Sequence, residues 1–149
     1  PLYIAASNGH VDLVLLLVAN GADVNQPLLY AAYKGHVNVA RMLVEKGADV
    51  NQADENGVTP LHVAARYNRV DVVRFLVENN ADVNLANENV STPLFIAAEN
   101  GHVDVVEILW GNGANVNQAV NGVTPFFIAA QMGHINVDIN LLKNKLSDL

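Results

Sequence analysis

Apolar residues in this chain arrive in short bursts at helical spacing, separated by small clusters of glycine, asparagine and aspartate. One burst is Leu61, Ala64 and Ala65; the next is Val70, Val73, Leu76 and Val77, with Asp71, Arg74 and Glu78 pointing away from it. Thr59 is a good N-cap, and Pro60 suits the first helical position, where no amide donor is needed, so a helix is predicted from Pro60 to an end at Asn68. A second helix is predicted from about Val70 to Asn79. Its valines are poor helix formers, so packing must supply the stability.

This hairpin recurs along the chain. Variants of Pro-Leu-x-x-Ala-Ala open at Pro1, Pro27, Pro60, Pro93 and Pro125, at intervals of 26, 33, 33 and 32 residues. A period of that length means units stacked side by side, with the core shared between neighbours. The slot after the first helix reads Gly9, Gly35, Asn68, Gly101 and Gly133, and the slot after the second reads Gly21, Gly47, Asn80 and Gly113. Asparagine is the side chain that best tolerates left-handed backbone, so both slots are predicted to have positive φ. Asn-Gly pairs such as Asn56-Gly57 signal tight turns, and a protruding finger is expected to join each pair of units.

Thr59-Pro60-Leu61-His62, Gly101-His102 and Gly47-Ala48-Asp49-Val50-Asn51 together resemble the hallmarks of the ankyrin repeat, and the resemblance covers nearly the whole chain. It implies an all-α repeat protein: an ankyrin-type solenoid of stacked helix-turn-helix units joined by β-turn fingers. One ankyrin repeat domain is expected over residues 1–149, with repeats at about 1–26, 27–53, 54–86, 87–118 and 119–149.

The pattern breaks in three places. Asn25 and Pro27 are two steps apart where Asn51 and Pro60 are nine apart, so the first junction lacks seven residues that the second supplies as Ala53 to Thr59. Those residues are expected to be missing between 26 and 27, which a normal Gln26–Pro27 bond would refute. Val90 stands in the slot of Gly57 and Gly122, and the last finger is one residue short, so both turns are expected to depart from Asn-Gly geometry. At the far end Asp138 and Asn140 replace Val73 and Phe75, as suits a terminal cap facing water, while the first unit is as apolar as an internal one and more sequence is expected before it.

Composition narrows the function. A net charge of -7, from 8 basic and 15 acidic residues, opposes attraction to nucleic acid and anionic membranes. The longest apolar run, Leu13 to Ala19, is seven residues, whereas a membrane span needs about 20. The chain has no cysteine, which leaves no disulfide or thiolate metal site and fits an intracellular, cytoplasmic location.

No catalytic residue, metal ligand or cofactor is expected. His10, His36, His102 and His134 fill one repeated slot that the third copy gives to Arg69, and arginine does not replace a metal ligand. Equivalent positions in stacked units lie about 10 Å apart, while zinc needs nitrogens about 2.0–2.1 Å from one centre. His62 belongs to the helix opening, where the resemblance implies hydrogen bonds near its own turn; Tyr3, Leu29, Phe95 and Phe127 replace it elsewhere. Repeated carboxylates such as Asp12, Asp71 and Asp104, or Asp23, Asp49 and Asp82, read as capping or solvated groups. The sequence holds no nucleophile elbow, phosphate-binding loop or His-Glu-x-x-His.

The resemblance points instead to a concave face built from the fingers and the exposed side of each first helix. The pair after each Ala-Ala varies freely: Ser7-Asn8, Tyr33-Lys34, Arg66-Tyr67, Glu99-Asn100 and Gln131-Met132. The last four pairs, with finger residues Glu55, Asn56, Val58, Glu88, Asn89, Ser91 and Val123, form the candidate partner-binding surface, led by Tyr33, Arg66 and Tyr67 as hot-spot types. The expected role is a monomeric protein-interaction module for a protein or extended peptide of mixed polarity. The alternative is a structural spacer or scaffold segment of a longer multi-repeat protein.

Overall fold

The computed structural model describes residues 2–147, with side chains to residue 143; Pro1, where the first phrase opens, lies outside them. Among the described residues, ten helices form five hairpins: α1 (Leu2–Ser7) with α2 (Val11–Ala19), α3 (Asn25–Lys34) with α4 (Val37–Glu45), α5 (Pro60–Arg66) with α6 (Val70–Glu78), α7 (Pro93–Glu99) with α8 (Val103–Gly111), and α9 (Pro125–Met132) with α10 (Ile135–Ser147). Odd-numbered helices stack in one layer and even-numbered helices in another, each against its neighbours along the stack. Among the described residues no helix is long and apolar enough to cross a membrane.

The Ala-Ala pairs explain this layering. Ala31, Ala32, Ala64, Ala65, Ala97 and Ala98 are all fully buried, and a methyl side chain lets adjacent first helices approach closely. The second helices meet through larger residues, with Leu43, Leu76 and Leu109 completely enclosed. The first-helix layer packs more extensively, as expected for the inner side of a curved stack.

Local chemistry sets the helix ends. Thr59, Thr92 and Thr124 cap α5, α7 and α9 by accepting the amides of His62, Phe95 and Phe127. Every predicted left-handed slot is left-handed, from Asn68 at φ 54° to Gly47 at φ 98°. Neighbouring repeats are also tied by asparagines: Asn25, Asn51 and Asn84 Oδ1 accept the amides of Asp49, Asp82 and Asn115 at 2.9, 2.8 and 2.7 Å. The Nδ2 groups of Asn51 and Asn84 donate onward to the carbonyls of Asn80 and Gly113.

Three irregularities resolve differently from the sequence reading. Gln26 and Pro27 lie inside the continuous helix α3, so the repeat boundary drawn after residue 26 falls within a helix. The first junction simply has no finger, and α3 starts two residues before its proline without a side-chain cap. Val90 does share the Gly57 geometry: it sits at φ 62°, and Asn87 Oδ1 accepts two finger amides at 3.0 Å just as Asp54 Oδ1 does at 2.9 Å. The paired amide bonds hold even a β-branched residue in the left-handed region, at a cost in strain. The last finger keeps Asn-Gly geometry as well, against expectation: Val120 and Val123 exchange amide bonds around Asn121 and Gly122, both left-handed, which is the two-residue hairpin turn that an Asn-Gly pair favours.

The two end units are unlike in how their polar and apolar groups are placed. Leu13 and Leu16, which stand where Val72 and Phe75 are buried in the third repeat, are 45% and 61% exposed. Asp138 is only half-exposed and its Oδ1 is buried without a partner, so it does not simply face water; burial pushes its carboxyl up, opposed by His134. Asn140 reaches across to Glu107 on α8.

Leu76→Ala removes a completely buried side chain shared by two interfaces and is expected to cost about 2–5 kcal/mol. Urea unfolding followed by circular dichroism checks this, and a broadened transition would mark the loss of cooperativity between halves of the stack.

Candidate functional site

The variable pairs sit at the C-terminal ends of the first helices, and it is their backbone that the next repeat uses. His36 Nε2 donates to Ser7 O at 2.8 Å, Arg69 Nε to Tyr33 O at 2.8 Å, and His102 and His134 Nε2 to Arg66 O and Glu99 O at 2.9 Å. Each repeat thus fastens itself to a carbonyl of the repeat before it. An imidazole N–H and a guanidinium N–H perform the same task, which is why arginine can replace histidine in this slot. Among the described residues no three His, Asp or Glu side chains converge on a metal-sized site.

The glycine slot serves this ladder too. A Cβ built on Gly101 would lie 2.6 Å from His134 Nδ1, one on Gly35 2.9 Å from Arg69 Cδ, and one on Gly9 3.1 Å from His36 Nδ1. A Cβ built on Gly133 would meet nothing within 4 Å.

Beyond the ladder, the structure brings together two of the leading candidates, Tyr33 and Tyr67. Tyr33 and Tyr67 are 36% and 44% exposed and meet edge to face with ring centroids 4.6 Å apart. Lys34 Nζ lies 4.9 Å from the Tyr33 centroid. Arg66, which precedes Tyr67 in the chain, is exposed on α5. Gln131 and Met132 are exposed at the far end of the row on α9, away from the tyrosines. Glu99 is half-buried, and Asn100 turns its amide back onto Ile96 O at 2.8 Å, so it presents less to a partner than its slot promised.

In the fingers Glu55, Asn56, Glu88 and Asn89 are exposed, while Val58, Ser91 and Val123 are half-buried. Two of these carry structural duties as well. Asn56 O accepts the Glu88 amide at 3.0 Å, pairing consecutive fingers, and Ser91 O accepts from His62 Nε2 at 3.0 Å.

His62 itself is buried and fixed as one neutral tautomer. The Thr59 amide donates to its Nδ1 at 3.2 Å, which leaves Nε2–H to donate to the Ser91 carbonyl. Burial holds its pKa below the ordinary value of 6.5, against the opposing pull of the Ser91 and Leu85 carbonyls and of Asp54. It braces its own helix cap against the next finger.

Sequence reasoning missed part of the surface. Tyr30, 36% exposed, joins Leu29, Tyr33, Val63 and Tyr67 along a cleft of ≈ 420 Å³ walled by Asp54 and Glu55. Tyr30 fills the slot of the partly buried Val63, so its position in the repeat gave no hint of exposure; the missing first finger was the available signal.

The family model describing ankyrin repeats in three copies matches residues 2–87 and again 81–148. The chain has no significant match among curated proteins.

Two substitutions separate ladder from turn. Gly101→Ala incurs both left-handed strain and a collision with His134, whereas Gly133→Ala incurs strain alone, so Gly101→Ala is expected to lower the urea midpoint distinctly more. The His62 prediction concerns pH. Above about pH 6.5 the residue is neutral folded or unfolded; below it the unfolded chain takes a proton that the folded chain resists, so stability falls as pH drops. Urea midpoints at about pH 7.5 and 5.5 should differ less in His62→Phe, which copies Phe95 and Phe127, than in the parent chain.

Proposed function

This chain belongs to the ankyrin repeat family, whose repeats generally serve as protein-interaction modules, and on that premise we propose that its concave face binds another protein or an extended peptide without catalysing a reaction. The observation that supports this most is the exposed Tyr33–Tyr67 pair beside Lys34 and Arg66. Tyrosine and arginine are the types most enriched among residues that dominate binding energy. They stand on carbonyls already tied into the fold, so the frame is rigid and little ordering accompanies association.

Glu55, Asn56, Glu88 and Asn89 border the pair on the finger side, and Lys34 and Arg66 supply cations from the helix side. A ligand of mixed polarity meets both signs, whereas a uniformly charged one meets repulsion somewhere along the face. Glu99, Asn100, Gln131, Met132, Val58, Ser91 and Val123 extend the surface toward later repeats. An intracellular setting fits a chain without cysteine.

A spacer role in a longer array draws on the exposed apolar Leu13 and Leu16, but gives the tyrosine pair nothing to do. Affinity capture from the source cell, comparing the parent chain with Tyr33→Ala/Arg66→Ala/Tyr67→Ala, tests the interaction reading. Partners held by the parent are expected to be lost from the triple variant, while its stability falls by only about 1 kcal/mol, the scale of one aromatic pair. Partners captured equally by both chains would overturn the proposal.

A further inference from the structure

We infer that the space where a first finger would stand is the seat of an extended peptide from a partner protein, with an arginine or lysine side chain laid over the tyrosines beside Asp54 and Glu55. The inference deepens the interaction reading above and rests on it.

The finger pairing supplies the first observation. Glu88 N–H in the third junction donates to Asn56 O in the second, at 3.0 Å. The equivalent donor of the second finger is Glu55 N–H, and the finger that would accept from it does not exist, because α2 runs to α3 through only Asn20 to Val24. Among the described residues Glu55 N–H accordingly makes no backbone bond. A peptide carbonyl in that place completes the same pairing, and extended main chain is the form that offers it.

Shape supplies the second. Where the finger is missing there is a cleft of ≈ 540 Å³ between residues 23–26 and 52–55, and it continues into the tyrosine cleft of ≈ 420 Å³. The two share Gln26, Leu29, Asp54 and Glu55, so they form one groove. At the later junctions the next finger is built of the chain itself.

Charge decides the occupant. Asp23, Asp54 and Glu55 line the groove, and neither cleft has a lysine or arginine in its walls. Lys34 rests against the Tyr33 ring, while Tyr30 and Tyr67 are also open to the groove. Carboxylates around aromatic rings attract a cationic side chain through both ion pairing and cation–π contact, and repel an acidic one.

The test uses the full 149-residue chain, ¹⁵N-labelled, titrated with acetyl-Gly-Arg-Gly-amide and its lysine, norleucine and glutamate analogues. The arginine and lysine peptides are expected to shift the Glu55 amide and the amides of Tyr30, Tyr33 and Tyr67, binding about tenfold more tightly than the other two. Asp54→Asn/Glu55→Gln is expected to lose about that factor. This variant keeps its turn, because Asn87 makes the same two bonds in the next finger. A chain with a copy of residues 53–59 inserted between Gln26 and Pro27 fills the groove and should not respond at all.

Equal response to norleucine or glutamate, unchanged binding in the double variant, or undiminished shifts in the filled chain would each overturn the inference. If the cationic peptides fail while the triple variant still loses its captured partners, this assignment falls and the interaction reading stands. If the peptides bind as expected but captured partners ignore the tyrosines, the groove stands and the broader surface is wrong.

Discussion

No single hairpin in this chain can bury its own apolar face. Each is two short helices with one narrow apolar stripe, rich in valines that do not favour helix on their own. The stripe is covered only when the next hairpin is laid against it. Leu43, Leu76 and Leu109 are fully enclosed for that reason, whereas Leu13 and Leu16, in equivalent stripes at the end of the row, are open. Everything else follows from this dependence of each unit on its neighbours.

Stacking alone does not set register, because a row of alanines and valines is smooth. Register comes from directed bonds that cross each interface: the histidine-or-arginine N–H aimed at the carbonyl of the previous variable pair, and the asparagine amides that link successive loops. Both sets use the backbone of the neighbour, not its side chains. Most side chains of the variable pairs are consequently left out of the bonds between repeats, and Tyr33, Arg66 and Tyr67 can differ from unit to unit without disturbing the frame. The result is a surface open to chemical choice on an invariant scaffold.

The irregular units show how the same constraints tolerate exceptions. Val90 takes a glycine's backbone because Asn87 clamps the turn with two amide bonds. Asn68 and Asn80 take left-handed positions as their side chain allows. The first junction dispenses with its finger altogether, and α3 begins early in its place; the consequence is local, since the helices behind it still stack. What changes is the surface, where Leu29 and Tyr30 emerge beside Asp54 and Glu55.

The sequence by itself determined the helices, their caps, the left-handed slots and the order of units, because these rest on interactions within a few residues or on a period repeated five times. It also placed the variable pairs on the exposed side of the first helices. It could not show that Val90 keeps the glycine turn, since that depends on a side-chain clamp whose strength outweighs the residue's preference. Nor could it show that Gln26 and Pro27 continue one helix, that Asn100 folds back on Ile96, or that Tyr33 and Tyr67 meet while Tyr30 is uncovered. Those outcomes depend on which side chains arrive at the same place from different repeats, and only packing in three dimensions decides that.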